Sequence, residues 1–124
     1  MNLTVPRTAV LELTFRCNHR CVFCSVPWDN DDGRYERLTE LSARDWMNCI
    51  DLLIGHGVTG LALSGGEPFL KDGFDEIVEH LRHARARHPV FDSFGHVTGY
   101  EEKPFCVTLI TNGGLVTRER VESV

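Results

Sequence analysis

The sequence predicts an α/β fold built on a parallel sheet. Short, largely apolar runs at Ala9–Leu13, Leu61–Leu63 and Val107–Ile110 are separated by segments whose apolar residues recur at helical spacing. The resulting order is strand, helix, strand, helix, strand and the opening of a further helix. That alternation winds a parallel sheet with helices laid against it. Start and stop signals for the helices fall between the apolar runs.

The first strand covers roughly residues 8 to 15, with Leu11 and Leu13 alternating with Glu12 and Thr14. A cysteine-bearing loop and the polar stretch Asp29-Asn30-Asp31-Asp32-Gly33-Arg34 follow. The first helix begins near Ser42, because Ser42-x-x-Asp45 has capping-box spacing. Trp46, Cys49, Ile50, Leu53 and Ile54 then form one helical face, and Gly55 and Gly57 end it. The second strand runs from about Thr59 to Ser64. The second helix starts near Asp72 and buries Phe74, Ile77, Val78 and Leu81. Asp72, Asp75 and Glu76 lie early in it and Arg82, Arg85 and Arg87 late, an order that complements the helix dipole. A solvated helix end explains these arginines better than a phosphate or nucleic-acid patch. Pro89 is expected to stop the helix.

Val90 to Lys103 exceeds the usual connection of ~2–6 residues. It carries Phe91, Phe94, His96 and Tyr100. It reads as a surface insertion in hairpin form, with a loop contacting substrate or partner as the alternative. The third strand runs from about Phe105 to Thr111, and Thr117 to Val124 open a helix without a stop signal.

At 124 residues the chain is one domain at most. A net charge of -5 argues against a general nucleic-acid binder. No stretch approaches the ~18 apolar residues of a membrane span, and the N-terminus lacks the apolar core of a secretion signal. Five cysteines, three of them clustered, fit a reducing cytoplasm better than a secreted disulfide scaffold.

Those three cysteines carry the chemistry. Cys17-Asn18-His19-Arg20-Cys21-Val22-Phe23-Cys24 is a C-x3-C-x2-C loop directly after the first strand. Thiolates this close in sequence are metal ligands more often than disulfide partners. A [4Fe–4S] cubane takes four terminal ligands, usually cysteines; this loop offers three, leaving one iron open to a substrate or cofactor. A Cys3His zinc site using His19 is the first alternative. It crowds His19 between Cys17 and Cys21, and no second ligand pair follows downstream. Cys49 and Cys106 read as small buried hydrophobes. His80 and His83, one turn apart, read as part of a solvated face.

The triad, with Phe23 before its last cysteine, resembles the radical S-adenosylmethionine (SAM) superfamily. Ser64-Gly65-Gly66-Glu67-Pro68 after the second strand and Thr111-Asn112-Gly113 after the third strengthen the resemblance, which spans about residues 8 to 116. It implies the N-terminal half of a partial (β/α)6 TIM-like barrel, about three βα units over residues 1–124, so the chain reads as an N-terminal fragment of a longer enzyme. The loops after the strands then line one rim, and Glu12 and Thr14 face either the barrel interior or an edge.

The resemblance further implies that Cys17, Cys21 and Cys24 hold a [4Fe–4S] cluster. The methionine part of SAM would occupy the fourth iron. Gly65 and Gly66 would let backbone approach the cofactor, and Glu67 would accept from the methionine ammonium. Phe23 would lie by the adenine, although a core aromatic is also possible there. Thr111 and Asn112 would contact SAM, a common turn being the alternative. The implied activity is reductive cleavage of SAM to a 5′-deoxyadenosyl radical that takes hydrogen from a peptide or small-molecule substrate. An electron donor such as flavodoxin or ferredoxin would supply the electron. The opening Leu11-x-Leu13-Thr14-x-x-Cys17-Asn18 is most similar to the branch of peptide maturases and molybdenum-cofactor-type enzymes. A non-catalytic zinc or degenerate iron–sulfur domain is the alternative function.

Overall fold

The computed structural model describes residues 6–24 and 39–123; the polar stretch at 29–34 lies outside them. Along the chain run β1 (Thr8–Glu12), α1 (Ala43–Gly55), β2 (Gly60–Ser64), a 3-10 turn (Pro68–Leu70), α2 (Phe74–His83), β3 (Arg85–Phe91), β4 (Val97–Pro104), β5 (Cys106–Leu109) and α3 (Arg118–Ser123). The strands β1, β2 and β5 form a parallel sheet with β2 in the centre. Thr8 lies opposite Gly60 and Glu12 opposite Ser64; on the other side Gly60 lies opposite Cys106 and Leu63 opposite Leu109.

One face of this sheet makes the core. Leu11, Leu13, Leu61 and Leu63 pack with Ile50 of α1 and with Phe74, Ile77, Val78 and Leu81 of α2. Each such side chain fully buried contributes roughly 1.5–3 kcal/mol. The opposite face stays open: Thr8, Val10 and Glu12 alternate with the inward residues and are exposed. Thr14 departs from that alternation. It is buried and donates its hydroxyl to Glu40.

Both helices start as their sequences dictate. The Ser42 hydroxyl accepts from Asp45 N–H while the Asp45 carboxylate accepts from Ser42 N–H, a complete capping box. The residue capping α2 is Gly73, at φ 75°. A Cβ there would also lie 2.6 Å from that of Ala43, so only glycine fits where the two helix starts meet.

Pro89 does not stop α2. The helix ends at His83, Ala84 turns extended, and Pro89 lies inside β3, opposite Tyr100 of β4. The antiparallel pair runs from Arg85 opposite Pro104 to Phe91 opposite Val97, with an irregularity at Val90/Phe91. Insertion and hairpin agree with expectation, but the hairpin is longer at its start. Arg85 and Arg87 therefore leave the helix end. Arg85 pairs with Glu102 at 3.5 Å, and Arg87 stacks over Tyr100 at 4.9 Å. Cross-strand partners outweigh the dipole ordering because β4 lies alongside, and a proline is tolerated where no ladder N–H is needed.

The hairpin also sits at the far end of the sheet from the cysteine loop. Arg7, just ahead of β1, stacks over Phe91, and Phe105 N–H donates to Ala84 C=O where the hairpin closes. Cys106, at that same end, is exposed, and Cys49 is half-buried. Cys106 lies on the open face of the sheet, so neither cysteine is the fully buried hydrophobe expected. Among the described residues no helix is long and apolar enough to cross a membrane.

Candidate functional site

Parallel strands release their following loops at one edge, and three such loops meet here. After β1 the chain passes through buried Leu13 and Thr14 into the loop of Cys17, Cys21 and Cys24. After β2 it turns through Gly65, Gly66 and Glu67. After β5 it reaches Thr111 and Asn112.

Backbone bonds stitch the first two loops together. Leu13 N–H donates to Ser64 C=O at 2.9 Å, Gly66 N–H to Thr14 C=O at 2.7 Å, and Glu67 N–H to Arg16 C=O at 2.8 Å. The glycines make this possible. A Cβ on Gly65, whose φ is +132°, would fall 2.5 Å from Thr14 O, and one on Gly66 would fall 2.2 Å from Arg16 O. The close approach these glycines permit is thus to the backbone leading into the cysteine loop.

Glu67 ties the second loop to the third. Its side chain is wholly buried, 0 % exposed. Oε1 accepts from Phe69 N–H at 3.2 Å, Oε2 from Asn112 N–H at 2.9 Å, and the Thr111 hydroxyl lies 2.9 and 3.0 Å from the two oxygens. A methionine ammonium would have to share this carboxylate with three protein donors.

Asn112 closes the circuit. Its Nδ2 lies 2.8 Å from Asn18 Oδ1 and 3.6 Å from Cys17 Sγ. The backbone N–H of His19 also points at Cys17 Sγ, at 3.4 Å. Cys24 N–H donates to Cys21 C=O, a turn that doubles the end of the loop back. All three cysteines are free thiols of intermediate exposure. Phe23 is 88 % exposed, so it is not a core aromatic packing the loop.

A second polar group braces the loop from the side. Glu40 accepts from the Thr14 hydroxyl, from Phe15 N–H and from Lys71 Nζ at 3.1 Å, and Lys71 also donates to Leu41 C=O. Burial opposes ionisation of Glu40. The hydrogen bonds from Thr14, Lys71 and Phe15 outweigh it, so its carboxyl titrates below its ordinary range. Glu40, Lys71 and Asn18 are the residues sequence reasoning missed. Glu40 and Lys71 stand 31 positions apart, and no local pattern joins them.

The residues present fit an iron–sulfur cubane. Each thiolate of such a cluster ligates a different iron, and N–H donors already face one of the sulfurs. Among the described residues no three His, Cys, Asp or Glu side chains converge on a single metal ion, the three cysteine thiols included.

The sequence profile described as the Radical SAM superfamily matches residues 11–124. The chain belongs to that superfamily. Radical SAM superfamily members use a [4Fe–4S] cluster and SAM. Among curated proteins the chain is 31% identical over 120 residues to a PqqA peptide cyclase of Rhodopseudomonas palustris, covering 97% of this chain and 26% of that one. It is 30% identical over 110 residues to a probable GTP 3',8-cyclase of Methanopyrus kandleri, covering 89% of this chain and 28% of that one. The chain thus spans about a quarter of the length of these radical SAM relatives. The fold is similar to that in a crystal structure of Streptococcus suis SuiB bound to precursor peptide SuiA. The TM-score is 0.67 at 20% identity, covering 98% of this chain and 22% of that one. The α/β fold with its three-stranded parallel sheet is therefore similar to part of a TIM-like radical SAM barrel.

Proposed function

We propose that this chain is the N-terminal part of a radical SAM enzyme in which Cys17, Cys21 and Cys24 hold the [4Fe–4S] cluster and the neighbouring rim receives SAM. The observation that carries this reading is the hydrogen-bonded meeting of three loops at one end of the sheet, with Asn112 of the third loop against Cys17 of the first. When bound, cluster and SAM supply a 5′-deoxyadenosyl radical able to take hydrogen from a substrate; the protein supplies position and shelter. Phe23, solvent-facing in the cysteine loop, offers a ring for the adenine to pack on. Gly65 and Gly66 fix the turn at the distance the cysteine loop requires. Thr111 and Asn112 line the rim, and Glu67 serves the cofactor from beneath by holding both in place.

A peptide or small-molecule substrate would enter from the open face of the sheet, where Glu12 is exposed beside the site. Two of the similar proteins are named for or bound to peptides and one is named for a nucleotide, which supports both classes. An electron donor such as flavodoxin or ferredoxin would complete the system, in the cytoplasm.

Anaerobic reconstitution with iron and sulfide tests the reading. About four irons per chain are expected, lost on replacing Cys17, Cys21 or Cys24 by Ala and kept in Cys49→Ala. Stoichiometric zinc without acid-labile sulfide would refute it.

A further inference from the structure

Asn112 is held in a single orientation by its own partners. Its Oδ1 accepts from Gly114 N–H at 2.8 Å. A backbone N–H can only donate, so the amide oxygen must face Gly114 and the NH2 group must face the cysteine loop. One of its hydrogens goes to Asn18 Oδ1 at 2.8 Å, leaving the other for Cys17 Sγ at 3.6 Å. The Asn112 backbone is in turn fixed by Glu67 Oε2. A buried carboxylate thus anchors, through one residue, a donor aimed at a cysteine sulfur.

We infer that Asn112 is a positioning residue for Cys17, whose side-chain N–H, together with His19 N–H, holds that sulfur and raises the reduction potential of the cluster it ligates. This rests on the proposal that Cys17 is a cluster ligand. An electron added to a cluster increases negative charge on its sulfurs, so N–H donors stabilise the reduced state more than the oxidised one. Hydrogen bonds to sulfur are among the levers that set cluster potentials. Removing the donor makes the cluster harder to reduce.

The test is a redox titration of the full chain, reconstituted anaerobically with iron and sulfide and read by electron paramagnetic resonance without SAM. Asn112→Ala is expected to retain iron and to lower the ratio of reduced to oxidised cluster at fixed potential by about three- to tenfold; tenfold corresponds to ~59 mV for one electron. Asn18→Ala removes a partner of the Asn112 amide and a weak contact of Cys17 Sγ at 4.0 Å but leaves the Asn112 donor, and should shift the midpoint less than Asn112→Ala does. Asn112→Asp keeps the acceptor for Gly114 while removing the donor. Because it also adds charge, it should move the midpoint further in the same direction.

Unchanged midpoints in Asn112→Ala would overturn the inference, as would an equal shift in Asn18→Ala. So would loss of iron from both Asn112 variants, which would make Asn112 a part of the loop's folding alone. Failure of the wild-type chain to assemble a cluster would instead overturn the reading beneath it.

Discussion

Replacing Glu67 by Ala should cost the domain about 2–4 kcal/mol of folding stability. The figure follows from where its oxygens point. Phe69 is buried, so its N–H would be left without a partner, at about 1–3 kcal/mol. Thr111 and Asn112 are more accessible, and water can take over much of their bonding, but the charge-assisted component of each bond is lost. Glu67→Gln keeps the volume and one oxygen, yet turns an NH2 toward at least one donor, so about 1–2 kcal/mol is expected. Against a total of roughly 5–15 kcal/mol for a small domain, the Ala change is large. Urea unfolding without cofactor, followed by circular dichroism, measures it as a fall in midpoint at unchanged slope. A loss below about 0.5 kcal/mol, the range of an ordinary surface substitution, would show that the carboxylate does not brace the rim.

Gly66→Ala should be more damaging still. The added Cβ meets Arg16 O at 2.2 Å, whereas Gly99→Ala, with open space around it, should change the urea midpoint little. Ser42→Ala removes the capping box of α1 and should cost about 1 kcal/mol by the same measurement. The Glu40 carboxyl has a lower pKa folded than unfolded. Its contribution is therefore present above the ordinary glutamate pKa of about 4.3 and lost as pH falls through the folded value. Wild type should accordingly lose more stability than Glu40→Gln between about pH 5 and pH 3, and parallel curves would count against the Glu40–Lys71 brace. Asp72→Ala breaks an exposed pair with Arg16 and should shift the midpoint by less than about 0.5 kcal/mol.

What could be read from the sequence was local. The face of α2 was legible because Phe74, Ile77, Val78 and Leu81 repeat at helical spacing, and all four are buried. The start of α1 was legible because a capping box involves residues three apart. The cysteine triad was legible because all three thiols lie in one loop. The hairpin start was misread because Arg85, Arg87 and Pro89 look like a dipole-matched helix end and its breaker; only β4, more than ten residues later, makes them a strand. The same limit hid the inner bonding of the site. That Gly65 and Gly66 press on Thr14 and Arg16, and that Glu67 grips Thr111 and Asn112, depends on strand register between β1, β2 and β5. No single stretch of sequence contains it.

The β3–β4 hairpin divides the domain into a working end and a handling end. Its turn, Asp92 to His96, is closed by its own bonds, with the Asp92 carboxylate accepting from Phe94 and His96 N–H. Its base meets the chain at Ala84 and Phe105, where the strands begin rather than where they release the cysteine loop. A fluorophore, affinity tag or surface tether attached at exposed Ser93 would therefore travel with the domain while leaving Cys17, Glu67 and Asn112 untouched. The hairpin offers a port through which the protein could be immobilised or followed without access to its rim being blocked.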